Sequence, residues 1–485
     1  MKRLWPFLIL TCFLSLGFSA PKAHVTPLQA NGPDKLPAIL FIAAPTAVPG
    51  RLRWSFPQGS HLVRYVPGAP AASAANLTPD FFAVADPQIS FDATRVLFAG
   101  RKSRRAHWEI WEMKVDGSGL RQIAHCSGDC FQPAYLPHNQ IVYTEVSGKG
   151  NKQSSAIYVS QSSGVDSHPI TFGPGNYRVE TVLRSGRLLV SARAALVAGG
   201  KDNGSRVFYT LRPDGSGLFL FRWGSRPGYV RSGATELEDG TVLFVKRHNS
   251  AARVTGGELA LIRPGALHDS VITPGAYVYG SAHVLDGNKL VVAGKDAGSS
   301  AATGKFALYE FNLAGKSVGR EIYRNPKFSS VEAVPVEASA IPLYYPSMLH
   351  LDRDYARVIC LNSYLSSGAP KGQLTRRIAK VRVIALGPDA RTEHVLGEAA
   401  VASDGSFYIK IPADHPVRFE LLGESGSVVR AQKSWVWARK GEDMACLGCH
   451  ENPAIVPRDH FPLALKSFDT PIPIGLPASS QSQKH

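Results

Sequence analysis

Sulfur is scarce in this chain, with six cysteines and four methionines in 485 residues. So few cysteines exclude a disulfide scaffold, and the fold must rest on a core of ordinary size. After the first twenty residues no run is apolar enough to cross a bilayer. No G-x-S-x-G turn leads into an α/β pattern, so the chain carries no clear serine-hydrolase signature, and a propeller hydrolase or lyase stays a third possibility without an acid/base constellation to name. Helix-forming charged runs are also missing. What the chain has instead is 45 glycines, 34 prolines and many valines, serines and threonines. That composition points to an all-β protein with many turns.

Residues 1–20, MKRLWPFLILTCFLSLGFSA, read as a signal peptide. Lys2 and Arg3 form a positive start, Leu4 to Phe18 an apolar stretch, and Ser19-Ala20 a small-residue cleavage site. An uncleaved anchor is the alternative. The expectation is an exported, periplasmic protein with no membrane span once the signal is removed. Net charge is +16, but the basic residues are scattered, and Arg101-Lys102-Ser103-Arg104-Arg105 is the one dense run. A solvated basic surface explains this better than a dedicated docking site for an acidic partner, and no nucleic acid partner is expected of an exported protein. Cys126 and Cys130, in HCSGDC, are spaced to close a small disulfide loop in an oxidising compartment.

Short strand-like runs recur through most of the chain, each after a polar turn. Examples are DATRVLFAG (92–100), PHNQIVYTE (137–145), RSGRLLVSA (184–192), EDGTVLFVK (238–246) and DGNKLVVAG (286–294). A second strand family follows them, including IWEMKVDGSG (110–119) and VFYTLRPDGSG (207–217). A period of roughly 45–50 residues with about four strands per unit is the mark of propeller blades. Each blade exposes apolar faces that only its neighbours can cover. The blades resemble the TolB or WD40-like type, in which Asp-Gly turns join outer strands. The Gly-rich turns at Asp116 and Asp214 join strands and have no following helix, so they are not phosphate loops.

A Pro-rich stretch, 332–352, is expected to cross the propeller face. A second β region follows, with IAKVRVIAL (378–386) and strands from 398 to 438, and reads as a small sandwich. Near its end stands Cys446-Leu447-Gly448-Cys449-His450. CxxCH is the attachment signature of a c-type haem: two thiols form thioethers with the vinyl groups, and the histidine lies beneath the ring. A redox cysteine pair lacks its βαβ context, and a zinc knuckle lacks a second cysteine pair. The short stretch after His450 holds no methionine. A second iron ligand is therefore sought elsewhere, among His460, His350, Tyr355 and Tyr364.

Two stretches, DGSFYIKIPADHPVRFELL (404–422) and SWVWARKGEDMACLGCHENPAIVPRDHFPLAL (434–465), resemble the haem-bearing middle domain of the hydrazine synthase alpha family. An N-terminal propeller before that domain is also similar. The resemblance implies a tyrosine on the iron, with the histidine of the attachment motif joining a zinc site. A histidine four residues before the tyrosine is implied as a further zinc ligand. On this chain Tyr364 then becomes the iron ligand, while Cys360 stands where that histidine would be. The family continues into a further haem domain, which is absent from this sequence, so hydrazine synthesis itself is not transferred.

The expected architecture is all-β: a six- or seven-bladed β-propeller followed by a small β-sandwich-like domain carrying the c-type haem motif. The expected boundaries are 1–20 signal, 21–35 linker, 36–335 propeller, 336–465 haem domain and 466–485 flexible tail. The expected cofactor is one covalent haem c, held by Cys446 and Cys449 with His450 as the adjacent ligand, and zinc is implied beside it. The expected function is redox: electron transfer with a periplasmic partner protein, or small-molecule oxidoreduction at the haem. The alternative is a propeller that binds or scaffolds partners, with a structural or sensing haem.

Overall fold

The computed structural model describes residues 36–46, 58–148, 153–193, 206–221, 229–248, 257–266, 268–273, 275–298, 304–366, 374–387, 392–432, 434–448, 461–467 and 471–476. Its described residues are nearly all strand and turn. Six four-stranded antiparallel sheets follow one another around a ring. Their innermost strands are Ala83–Ile89, Asp129–Leu136, Arg178–Val182, Tyr229–Glu236, Tyr277–Asp286 and Ser329–Pro335, and each touches the next until the sixth meets the first. The propeller thus has six blades among the described residues.

The last blade is built from both ends of the ring. Ser329–Pro335 pairs with Ile39–Ala44, which in turn pairs with His61–Tyr65. Glu332 to Pro335, which open the Pro-rich stretch and also end the expected 36–335 propeller, belong to this innermost strand, and their ladder partner lies at the other end of the propeller.

Second strands such as Arg95–Arg101 (RVLFAGR) are buried along almost their whole length. Both faces of a blade are covered by its neighbours, so these strands read as continuous apolar runs rather than alternating ones. The Asp-Gly-Ser/Thr turns close the hairpins in one repeated way. Asp116, Asp214, Asp239 and Asp404 each accept a hydrogen bond from the backbone N–H two residues on.

Each innermost strand shifts register by a bulge, and the bulges line a central channel. Asp86, Gln132 and Glu332 sit there with φ of 57°, 53° and 53°. Their conformations are held by bonds from blade to blade. Asp86 N donates to Glu332 Oε2 (2.8 Å), Gln132 N to Asp86 Oδ2 (3.0 Å), and Gly233 N to Glu180 Oε2 (3.0 Å). The channel carboxylates act as ties between blades.

The second domain is a sandwich of two four-stranded sheets. One has the order Asp443–Cys446, Tyr355–Cys360, Phe407–Pro412, Ile472–Pro473. The other has Glu393–Ala400, Lys380–Leu386, Val417–Leu422, Val428–Ala431. Val358, Val381, Val383, Ile409, Ile411 and Val417 form the dry layer between them. The stretch from 466 was expected to be loose. Instead Ile472–Pro473 adds a parallel edge strand to Ile409–Lys410, with Ile474 buried in the core. Propeller and sandwich lie in one unit that begins at Pro37.

Candidate functional site

The strand Asp443–Cys446 runs parallel to Tyr355–Cys360, with Cys446 opposite Cys360 and Met444 opposite Val358. Residues directly paired share a face, so Cys446 stands beside Cys360 on the core side of the sheet. Cys360 is buried in the dry layer, whereas Cys446, on the edge strand, is half-buried. The ladder continues past the strand ends. Leu361 N donates to Cys446 O at 2.8 Å, and Asn362 N to Leu447 O at 3.1 Å.

This pairing presses the start of the CxxCH loop onto the turn 361–366. A Cβ at Gly448 would lie 2.6 Å from Leu365 O and 3.0 Å from Asn362 O. Glycine in the spacer is thus needed for close approach. Tyr364 occupies the same turn. Its ring covers Gly405, where a Cβ would sit 2.6 Å from Tyr364 Cδ2, and its hydroxyl accepts a 3.3 Å bond from Ile378 N. On either side of Tyr364, the hydroxyls of Ser363 and Ser366 are buried without a hydrogen-bond partner.

An apolar rim stands close by. Leu463 N donates to Asp404 Oδ2 (2.8 Å) and Ala464 N to Ser406 Oγ (2.9 Å), which holds 461–465 on the turn that Tyr364 covers. Phe461, Leu463 and Leu465 on that segment remain exposed, Phe461 by 61%.

The structure thus brings together Cys446, Cys360 and the Tyr364 turn. Two other candidates lie elsewhere. Tyr355 is at the far end of its strand, about 16 Å from Cys360 at the usual rise per residue. His350 packs its Cβ against Gly441, beyond the opposite end of Asp443–Cys446 from Cys446. Cys449, His450 and His460 lie outside the described residues. Cys126 and Cys130 are joined as a disulfide. Cys360 belongs to no group of three metal-binding side chains among the described residues; the group found there is Cys126, Cys130 and Glu145.

Sequence reasoning saw W-x-W-x-R-x-G-E only as a motif; the structure shows that it clamps the sandwich to the propeller. Val436 pairs with Val417 in the sandwich, and the next residue, Trp437, is 1% exposed within the core of the second and third blades. Its ring meets Tyr177 edge-on at 5.1 Å, and Nε1 donates to Gly215 O at 3.2 Å. Arg439 donates to Asp214 O (2.6 Å), pairs with Asp414 (2.7 Å) and lies over Phe172. Gly215, at φ +84°, must be glycine: a Cβ would lie 2.4 Å from Ile170 O and 2.6 Å from the Arg439 guanidinium. Glu442 accepts from Gly217 N (2.9 Å) and Arg439 N (2.7 Å), and burial pushes its pKa up against the pull of those bonds. The clamp ends one residue before the strand that carries Cys446. The tryptophans were the available sequence signal, because an indole in a turn-rich segment needs somewhere to bury its ring.

Residues 362–451 match the family model of the hydrazine synthase alpha subunit middle domain. Hydrazine synthase subunit alpha of Kuenenia stuttgartiensis is 22% identical over 87% of this chain and 66% of its own length. The chain therefore spans a little under two thirds of that relative. The solved Kuenenia stuttgartiensis hydrazine synthase superposes with a TM-score of 0.75 at 19% identity, covering 89% of this chain and 71% of that one. At that identity the likeness is one of fold. TolB from Acinetobacter baumannii gives a TM-score of 0.44 at 13% identity, over 61% of this chain and 66% of that one. In its propeller and in the domain that carries Cys446, the chain resembles the hydrazine synthase alpha subunit.

Proposed function

We propose that the chain carries one haem c, joined through Cys446 and Cys449, and serves redox chemistry in the compartment to which its leader directs it. The observation that carries this reading is the setting of Cys446. It is half-buried on an edge strand, beside an exposed apolar rim that a macrocycle could cover. Once bound, the group would supply a one-electron couple, and an open coordination position if the iron lacks a second ligand.

The chain's own residues orient that group. The clamp fixes the start of the Cys446 strand, the 361–366 turn packs against Gly448, and the exposed side chains of Phe461, Leu463 and Leu465 would be available to cover an apolar group. His450, next to Cys449 in sequence, is the adjacent residue that would be offered to the iron. Tyr364 is the described candidate nearest the motif. Its hydroxyl accepts only the long 3.3 Å bond from Ile378 N, which leaves it lone pairs for a further partner. The two unpartnered serine hydroxyls beside it fit a polar group arriving there. For zinc the described residues fit poorly, since Cys360 sits in the apolar layer and joins no group of three metal-binding side chains among the described residues.

The test is a pyridine haemochrome assay on protein made alongside a c-type maturation system. One covalent haem per chain is expected, lost in Cys446→Ala/Cys449→Ala. A chain that matures without covalent haem sinks the reading.

A further inference from the structure

One junction between blades recurs in the ring, and one copy of it has lost its acid. Where the first blade meets the second, Arg101 lies over the Trp108 ring at 5.2 Å. Trp108 N donates to Asp129 Oδ1 at 3.0 Å, and Cys130 N donates to Trp108 O at 2.8 Å. Where the fifth blade meets the sixth, Lys295 lies over the Phe306 ring at 5.3 Å. Phe306 N donates to Ser329 Oγ at 3.3 Å, and Ser330 N donates to Phe306 O at 2.8 Å. Each position has its counterpart, with serine standing where the aspartate was. Burial lowers the pKa of Arg101, and Asp129 pulls it back up. Burial lowers that of Lys295 as well, and no charge opposes it.

Lys295 and Ser330 both face this seam. Leu290 and Val292 belong to the core shared with the fourth blade, so Lys295, out of step with them, is turned toward the sixth. Phe41 of the sixth blade meets Tyr323 of the fifth at 4.9 Å, and Ala43, on the same face as Phe41, pairs with Ser330. Lys295 is 5% exposed, and Ser330 is fully buried with its hydroxyl unpartnered. The neighbouring acids are engaged elsewhere. Asp296 acts on Tyr309, on the other face of the blade, and Glu332 accepts from Asp86 N. Glu310 pairs with Arg320 and Glu321 with Arg324. The three connections at this end of the two blades, 45–60, 297–306 and 324–328, contain no Asp or Glu. A buried amine without a countercharge is costly, and so is a buried hydroxyl without a partner.

We propose that the seam between the fifth and sixth blades binds a small carboxylate, which fills the place that Asp129 holds in the first seam and accepts from Lys295 and Ser330. The occupant is of formate or acetate size, because both side chains are nearly sealed from solvent. The test titrates the full chain with sodium formate at constant ionic strength, methanesulfonate making up the balance, and reads the melting temperature. The expected result is a saturable rise. It should be absent from Lys295→Met and from Ser329→Asp, which supplies the missing carboxylate from the chain itself. Ser330→Ala should need about tenfold more formate for the same rise. Arg104→Met, in the exposed basic run, should respond as the parent does. Should Lys295→Met not fold, Ser329→Asp decides alone, and without formate it should melt no lower than the parent. The response should not depend on haem content, so failure of the redox reading would leave it standing. A parent that does not respond, a rise kept in Ser329→Asp, or a rise lost in Arg104→Met would each overturn the proposal.

Discussion

The indole N–H of Trp437, a residue of the sandwich, donates to the carbonyl oxygen of Gly215 in the third blade at 3.2 Å. Nearly all of the ring is buried on the propeller side. Trp437→Ala should therefore cost about 3–5 kcal/mol in denaturant unfolding. Trp437→Phe keeps most of the packing and should cost about 1 kcal/mol from the lost bond. If the alanine variant unfolds as the parent does, the clamp is not what joins the domains.

Gly448→Ala places a methyl 2.6 Å from Leu365 O and 2.7 Å from Leu365 Cβ. Backbone must move, at a cost of about 1–3 kcal/mol borne by the attachment loop. Covalent haem yield should drop about tenfold while circular dichroism of the β fold is retained. Full haem loading in this variant would show that the spacer does not rest on the 361–366 turn during attachment.

Glu442 titrates above its ordinary value of 4.5, with burial the leading cause and Asp214 adding to it. The folded state then holds the proton more tightly than the unfolded chain. Stability from this group is complete below 4.5 and is lost as pH climbs through the raised folded value. A melting-temperature series from pH 4 upward should show this decline, and Glu442→Gln should flatten it. An identical slope in both proteins would remove Glu442 as its source.

His283 lines the central channel, and burial pushes its pKa down to about 4 from 6.5. Here the unfolded chain binds the proton more tightly. The group's contribution is complete above 6.5 and is lost as pH falls toward 4. His283→Gln should lose less melting temperature than the parent between pH 7 and 4. A variant as acid-sensitive as the parent would contradict the assignment.

Much of the architecture was legible in the residues. Apolar runs such as RVLFAGR and the Asp-Gly turns mark strands and hairpins because burial on both faces and positive φ constrain residue choice locally. CLGCH stands out by its spacing alone, although Cys449 and His450 lie outside the described residues. What stayed hidden depends on contacts distant in sequence. Trp437 announces itself as an anchor, but nothing near it names Gly215 and Tyr177 as its seat. Glu332 opens the Pro-rich stretch, and nothing near it names Ile39–Ala44 as the partner of its strand. The Ser363 and Ser366 hydroxyls look like ordinary turn residues, and only burial makes them unusual.

The pairing of Ile39 with Pro335 also sets the order of events in biosynthesis. Blades one to five can each form from neighbouring residues as they emerge. The sixth cannot, because its second strand is made almost first and its innermost strand last. Until Pro335 is available, Ile39–Ala44 is an unmatched apolar edge, open to pairing with other chains. Ring closure carries the largest loop entropy in the propeller and should be its slowest step. Trp437 seats on the second and third blades, which need neither of the two strands that close the ring.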